Sequence, residues 1–437
     1  MSSADNAPSP QSVTSQRFPT REVCGLIIFF WLALLPFSVN YLFFHPDERH
    51  YTDAGIIMCQ THDYLTPRDA DGSPRLIKPI LTYWIVVAGY QFFGITSSAA
   101  RIPFLLLGGG CIGLGSLISH RIFGDRRTTL ITAAILAVNP LICMASLTAT
   151  PDIVQCFSLL LSAYGWIGLL KKGFSNVDAA CAFVGAGLAI ATKGTPGLLL
   201  LAYSLLFLWK NPWKRLDCRP LLTTKWVALG IGLALGWYVL AIATHGNEAI
   251  QQFIDDQVHS RLTRKWWSPF IQLPATPILF VLLIGPTSFL LLTIKLANVR
   301  KIWDSLTNDR RVCTAYILGW AASLFPLLAF VDPFSVRYFL LVVPLLTVPF
   351  AWLIVQSAFR PLGTFCRLGT NFILLAMGIL VVIRLMLITT REFPLQMATT
   401  LLLVGLSLIV STQFVFKNRR SVVSTTTFAT RSLLLFV

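Results

Sequence analysis

The sequence predicts an all-α polytopic membrane protein, and three observations predict it. Apolar residues make up 55% of the 437-residue chain and charged residues only 12%, which is more apolar surface than a soluble fold can enclose. The apolar residues fall in runs of about the ~20 residues that cross ~30 Å of hydrocarbon. The basic residues, which bring the net charge to +16, lie in short loops between those runs, where positive charge orients membrane helices. That placement favours membrane topology over a nucleic-acid partner.

Residues 1–22 are polar, with a disordered stretch expected on the cytoplasmic side. The run 23–44 has no small-residue cleavage site after it and is expected to remain as an anchor. Further spans are expected near 98–119, 129–149, 151–170, 178–193, 195–209, 226–244, 275–294, 312–331, 334–356, 368–388 and 395–416. Residues 417–437 form a short basic tail. The run "PILTYWIVVAGYQFFGI" (79–95) is short and begins with Pro, so it either spans or lies flat in the interface.

Loop charge separates these two cases. With 79–95 flat, the side shared with the N-terminus carries 23 Lys+Arg against 7 Asp+Glu, and the other side 12 of each. With 79–95 spanning, every later loop inverts and the bias largely disappears. The positive-inside rule therefore favours about 12 spanning helices (11 to 13), cytoplasmic termini and 79–95 as a juxtamembrane helix. The spanning domain then covers 23–416, with long outer loops at about 45–97 and 245–274.

The chemistry gathers at the outer ends of the runs. Asp47 and Glu48, in "FHPDERHYT", follow the first run directly. Such a pair either stops a helix or supplies a general base and an acceptor-orienting group. Neighbours on a helix point about 100° apart, so the two carboxylates have different jobs. Arg75 and Lys78, in "GSPRLIKPILTYW", are either snorkelling anchors or cations for a lipid phosphate. Asp152 in "TATPDIV" and Lys193 in "ATKGTP" sit between apolar runs, where an ionisable residue is costly and generally faces a polar cavity. Arg337 and Tyr338 lie just inside another outer end.

His245, Glu248 and His259 in the second outer loop are the residues from which a metal site would be built. No H-x-x-x-H or H-E-x-x-H spacing supports one, and solvated loop charge is the alternative. Nine scattered cysteines without a C-x-x-C pair argue against disulfides and a cysteine metal site. "GGGCIGLG" (108–115) lies within an apolar run, where it allows close helix packing. No nucleotide-binding loop stands where it would make sense, so no cofactor is required, and substrates are expected to arrive through the membrane.

Taken in order, "HPDERHYTDAGIIM", "DYLTPRDADGSPRLIKPILTYWIV", "FGITSSAARIPFLL", "RIFGDRRTTLITAAILAVNPL", "TATPDIV", "AIATKGTPGLLL" and "RYFLLVVPLL" resemble the polyprenyl-phosphate-sugar-dependent integral membrane glycosyltransferases. These include the lipid A aminoarabinose transferases and the protein O-mannosyltransferases. The resemblance covers about residues 23–350. It implies a GT-C type fold with juxtamembrane helices in the first outer loop, placed in the bacterial inner membrane with its site facing the periplasm.

The implied activity is inverting transfer of a monosaccharide from a polyprenyl-phosphate donor to a glycolipid or other envelope acceptor. Asp47 matches the family's acidic base or acceptor-orienting residue, and Glu48 its neighbour. Lys78 matches the lysine near the carrier phosphate, Asp152 and Lys193 the T-P-D and T-K-G residues of the cavity wall, and Arg337 the basic residue before the R/K-Y-L-L-P segment. Two departures stand out: the family's aromatic segment in the second outer loop survives only as "TRKWWSPF", and no C-terminal soluble domain of the kind some relatives carry is expected. A protein O-mannosyltransferase-like enzyme and a lipid-linked glycan ligase are the neighbouring alternatives. A secondary transporter is the rival of a different class, disfavoured by the crowding of ionisable residues on one side and the lack of a visible repeat.

Overall fold

The computed structural model describes residues 16–38, 47–213, 221, 224–255, 270, 296–329 and 335–356. Among the described residues the chain is helical, with one isolated bridge between Arg68 and Pro74 in place of any strand. The expected spans at 275–294, 368–388 and 395–416, the outer segment "TRKWWSP" and the basic tail lie outside the described residues.

The first helix, α1 (Thr20–Ser38), opens with Glu22 against its positive N-terminal dipole. After it come α2 (Glu48–Thr61) and α3 (Leu81–Phe93) in the first outer loop. At 13 residues α3 rises about 20 Å, short of the ~30 Å of hydrocarbon. It leaves Trp84, Phe92 and Phe93 exposed, as suits a helix lying in the interface.

Helix α4 (Ser97–Phe123) is capped at its start by Thr96, whose hydroxyl accepts from the Ala99 amide at 3.1 Å. Its glycine run does what the sequence leads one to expect. A Cβ on Gly109 would lie 2.4 Å from the Trp31 indole of α1, and one on Gly108 would lie 2.0 Å from Ser146. Only glycine lets these backbones approach.

The run at 129–149 is a bent pair rather than one straight helix. Helices α5 (Arg126–Ala137) and α6 (Pro140–Ser146) meet at 55°. Asn139 caps α6 by accepting from the Leu141 and Ile142 amides, and Pro140 supplies the fixed φ of a first helical residue. The bend ends in residues 147–150, which pass beneath the start of α2.

Helix α7 (Pro151–Lys172) packs along α8 (Asn176–Lys193), which is followed after Gly194 by α9 (Thr195–Lys210). Gly194 has φ +71, a left-handed conformation that breaks the helix without strain. Then come α10 (Lys225–His245), α11 (Asn247–Ile254), α12 (Leu296–Asp304) and α13 (Asn308–Ala329). A 3-10 turn (Val336–Leu341) leads into α14 (Val343–Gln356). Among the described residues five helices are long and apolar enough to cross a membrane, six with the bent pair.

The antiparallel run of α7 and α8 sorts charge to the two ends. Asp152 stands in the first turn of α7 and Lys193 in the last turn of α8, each where the helix dipole favours its sign. At the far end Arg121 pairs with Asp178, Lys171 donates to the Arg121 carbonyl, and Arg126 pairs with Glu22. Arg310 of α13 donates to the Phe123 carbonyl there at 2.8 Å. We name this the inner end and the other the outer end, following the loop charges. A cysteine placed at Lys210, in a background with the native cysteines replaced, is expected to react with impermeant reagent only from the inner side. Labelling from the outer side would reverse the orientation.

Candidate active site

Asp47 and Glu48 point in different directions. Asp47 stands at the start of α2 and leaves its side chain 53% exposed. Glu48 turns inward and meets Arg101 of α4 through two parallel bonds, Nε to Oε1 and Nη2 to Oε2, both 2.7 Å. Both side chains are nearly fully buried. Glu48 Oε1 also accepts from the Ala149 amide at 2.9 Å, and Arg101 Nη1 donates to the Ser38 carbonyl at 3.3 Å.

One ion pair therefore fastens the end of α1, the start of α2, the body of α4 and the loop into α7. The sequence reading pairs Glu48 with Asp47 as a catalytic residue; in the structure its oxygens are committed to Arg101 and Ala149. Arg101 was missed, although it is a lone cation at the head of an apolar run, in "SSAARIPFLL", and such a residue calls for a partner.

Beside this anchor, four predicted residues from four distant segments meet. Arg337, in the 3-10 turn, donates from Nη1 and Nη2 to Asp47 Oδ2, both at 3.2 Å. Its Nη1 also donates to Asp152 Oδ2 at 3.2 Å. The other oxygen of Asp152 accepts from Lys193. Lys193 lies over the Tyr338 ring, 5.7 Å from its centre, in cation–π range. Charge alternates along the chain Asp47–Arg337–Asp152–Lys193, from the exposed Asp47 to the buried Asp152. Two carboxylates and two cations cancel, which offsets part of the cost of desolvating each charge near the membrane.

Tyr51, one turn after Asp47 on α2, forms the floor and was not singled out by sequence. Its buried ring packs against Tyr83 of α3 with centroids 4.9 Å apart. Burial raises its hydroxyl well above the ordinary phenol range; Tyr83 and Asp152 add to this, and Arg75 opposes it. Tyr51 is thus held as a neutral phenol.

Arg75, in the same outer loop, has an acid of its own. Its Nη1 donates to both oxygens of Asp69 at 3.2 Å, and His50 Nδ1 faces the same carboxylate at 3.4 Å. Asp69 is fixed in a turn through its amide to the Ser73 carbonyl at 3.0 Å. Lys78 is half-buried in the turn that enters α3. The first outer loop thus carries a second basic group, Arg75 and Lys78.

The second outer loop closes onto the first. Gln252 of α11 accepts from the Leu76 amide at 2.9 Å and donates to the Pro74 carbonyl at 3.2 Å. Trp237 of α10 donates to the Leu65 carbonyl at 3.0 Å. His245 and Glu248 are used in this contact: His245 Nε2 lies 3.3 Å from the Thr66 hydroxyl, and Glu248 accepts from Gln252 at 3.1 Å. His259 lies outside the described residues, and among the described residues no group of three His, Cys, Asp or Glu could hold a metal.

Comparison with known proteins points the same way as these residues. Residues 77–240 match the family model of dolichyl-phosphate-mannose-protein mannosyltransferases. An uncharacterized protein of Aquifex aeolicus is 31% identical over 243 residues, 52% of this chain and 47% of that protein. An undecaprenyl phosphate-alpha-4-amino-4-deoxy-L-arabinose arabinosyl transferase of Pseudomonas aeruginosa is 28% identical over 274 residues, 56% of this chain and 46% of the enzyme. The chain spans about half the length of the curated relatives it matches. The crystal structure of ArnT from Cupriavidus metallidurans bound to undecaprenyl phosphate shares the fold, with a TM-score of 0.69. That likeness covers 95% of this chain and 75% of that one at 18% identity.

Proposed function

We propose that this chain, which resembles the polyprenyl-phosphate-sugar-dependent membrane glycosyltransferases and shares their fold, transfers a monosaccharide from a polyprenyl-phosphate carrier to a glycolipid or other envelope acceptor. The transfer takes place with inversion at the outer face of the inner membrane. The observation that carries this reading is the alternating chain Asp47–Arg337–Asp152–Lys193, an exposed acid next to cations at one end of a helical bundle.

Such a donor brings its own leaving group. The acceptor hydroxyl attacks the anomeric carbon from the face opposite the phosphate. The bond from that carbon to the phosphate oxygen breaks, and polyprenyl phosphate departs with the electron pair. The acceptor proton passes to Asp47, whose exposure leaves it open to a polar acceptor. Arg337 and Lys193, with Arg75 and Lys78 of the first loop, offset the charge that grows on the departing phosphate.

The resting pairs give donor binding a second effect. A phosphate between Arg337 and Lys193 competes with Asp47 for Arg337. That contact frees the Asp47 carboxylate to meet the acceptor hydroxyl as the donor seats. Asp152, buried and contacted by both cations, keeps them in place.

The test uses the purified full chain in lipid with a labelled polyprenyl-phosphate sugar and an envelope glycolipid extract. Label is expected in the glycolipid fraction, with polyprenyl phosphate released in equal amount. Transfer from a polyprenyl-diphosphate donor alone would favour the glycan-ligase reading. Movement of label across sealed vesicles without bond cleavage would favour the transporter. Asp152→Asn is expected to lower transfer by about tenfold or more, since it removes one charge that organises two cations; unchanged transfer would remove Asp152 from the site.

A further inference from the structure

One hydroxyl beside the candidate site has no part in the transfer described above. Tyr238, in the outer half of α10, is half-buried. A Cβ on Gly194 would lie 3.2 Å from the Tyr238 hydroxyl, its one contact within 4 Å among the described residues. Gly194 directly follows Lys193 and ends α8. The hydroxyl therefore stands at the stretch of backbone that carries Lys193 to its pair with Asp152. With a side chain at 194 that space would be filled.

The ring of Tyr238 is held, whereas its hydroxyl is not. Trp237 and Phe253 of α11 each lie 5.4 Å from the ring, centroid to centroid, inclined at 63° and 85°. Both neighbours belong to the closure of the outer loops: the Trp237 indole donates to the Leu65 carbonyl, and Gln252, next to Phe253, accepts from the Leu76 amide. The Tyr238 hydroxyl meets no hydrogen-bond partner among the described residues. Unlike the Thr82 and Thr314 hydroxyls, it is not sealed from open space. A tyrosine with a packed body and an uncommitted polar tip is suited to binding.

We infer that Tyr238 is a donor-binding residue whose hydroxyl donates to a phosphate oxygen of the polyprenyl-phosphate carrier. The neighbouring Lys193 selects that ligand, because a phosphate drawn to the ammonium brings anionic oxygens, which take short, strong bonds from a hydroxyl. Arg337 and Lys193 are both engaged with Asp152 before the carrier arrives. Tyr238 adds a donor that has no ion pair to give up, and a neutral phenol brings no further charge to desolvate near the membrane. Because this role deepens the sugar-transfer reading and rests on it, its test measures carrier binding rather than turnover.

The full chain in lipid nanodiscs is titrated with undecaprenyl phosphate, and in a parallel arm with undecaprenol, which lacks the phosphate. Affinity and melting temperature are read for the wild type and for Tyr238→Phe, which removes the hydroxyl and keeps the ring. Without carrier the two proteins are expected to melt together, since the hydroxyl bonds nothing within the chain. Tyr238→Phe is expected to bind undecaprenyl phosphate about tenfold or more weakly than the wild type, the loss of one hydrogen bond to a charged group. It should treat undecaprenol as the wild type does. A lower melting temperature without carrier would make the hydroxyl structural and overturn the assignment. Equal affinity of both proteins for undecaprenyl phosphate would overturn it too, and a loss confined to the sugar-bearing donor would move Tyr238 to the sugar. An equal loss for undecaprenol would place Tyr238 against the lipid tail instead. A wild type that binds no undecaprenyl phosphate would overturn the sugar-transfer reading along with it.

Discussion

Asp47→Asn is expected to reduce sugar transfer at least about a hundredfold, within the ~10²–10⁴ that a positioned general base contributes. The substitution keeps the shape of the side chain and its place at the start of α2. It removes the proton acceptor and the charge that Arg337 contacts. Assembly should survive, because Asp47 is half exposed and Arg337 retains Asp152. The informative readout is transfer measured beside donor binding. Binding should hold or strengthen, since the phosphate no longer competes with Asp47 for Arg337. Wild-type transfer by Asp47→Asn would remove the base from the mechanism, and equal loss of binding and transfer would make Asp47 a donor-binding residue instead.

Arg101→Met is expected to have the largest effect on stability, about 3–5 kcal/mol, because it leaves the Glu48 carboxylate buried without its cation. Four segments are tied at that point, so the variant should show a markedly lower melting temperature in detergent and poor recovery from the membrane. Glu48→Gln should show a smaller loss, keeping one acceptor for the Ala149 amide. The double replacement Glu48→Leu with Arg101→Met should recover much of the loss, since neither charge then remains buried. If that folded double variant still transfers sugar at a fraction of the wild-type rate, Glu48 acts through the placement of Asp47. Full stability of Arg101→Met would mean that the pair anchors nothing.

What the sequence made legible follows from what a membrane makes costly. Asp152 and Lys193 stand out because little else near them is charged, and the helix ends they occupy turn out to be neighbours through the antiparallel packing of α7 and α8. Arg337 was legible for the same reason. The charge tally placed all of them on one face, and the structure brings them into contact. The shortness of the 79–95 run was also legible, and α3 is a 13-residue helix.

Direction was not legible. Asp47 and Glu48 are adjacent, and only the position of Arg101, 53 residues on, decides which one turns inward. Tyr51 was hidden because a tyrosine one turn into a helix is ordinary until Tyr83 and Arg75 are seen around it. The bend at Asn139–Pro140 was signalled by an Asn-Pro pair that favours a break, but the apolar run continues through it and reads as one span. The histidines also needed tertiary structure: His50 faces Asp69, and His245 joins the two outer loops through Thr66.

The most direct measurement is the mass of the envelope glycolipids from cells that carry the wild-type gene, its deletion or the Asp47→Asn variant. A glycolipid heavier by one monosaccharide is expected in the wild type, and absent from both the deletion and the variant while the variant protein still accumulates in the membrane. Identical glycolipid masses in all three strains, or the heavier species persisting with Asp47→Asn, would contradict transfer of a sugar to a glycolipid through Asp47.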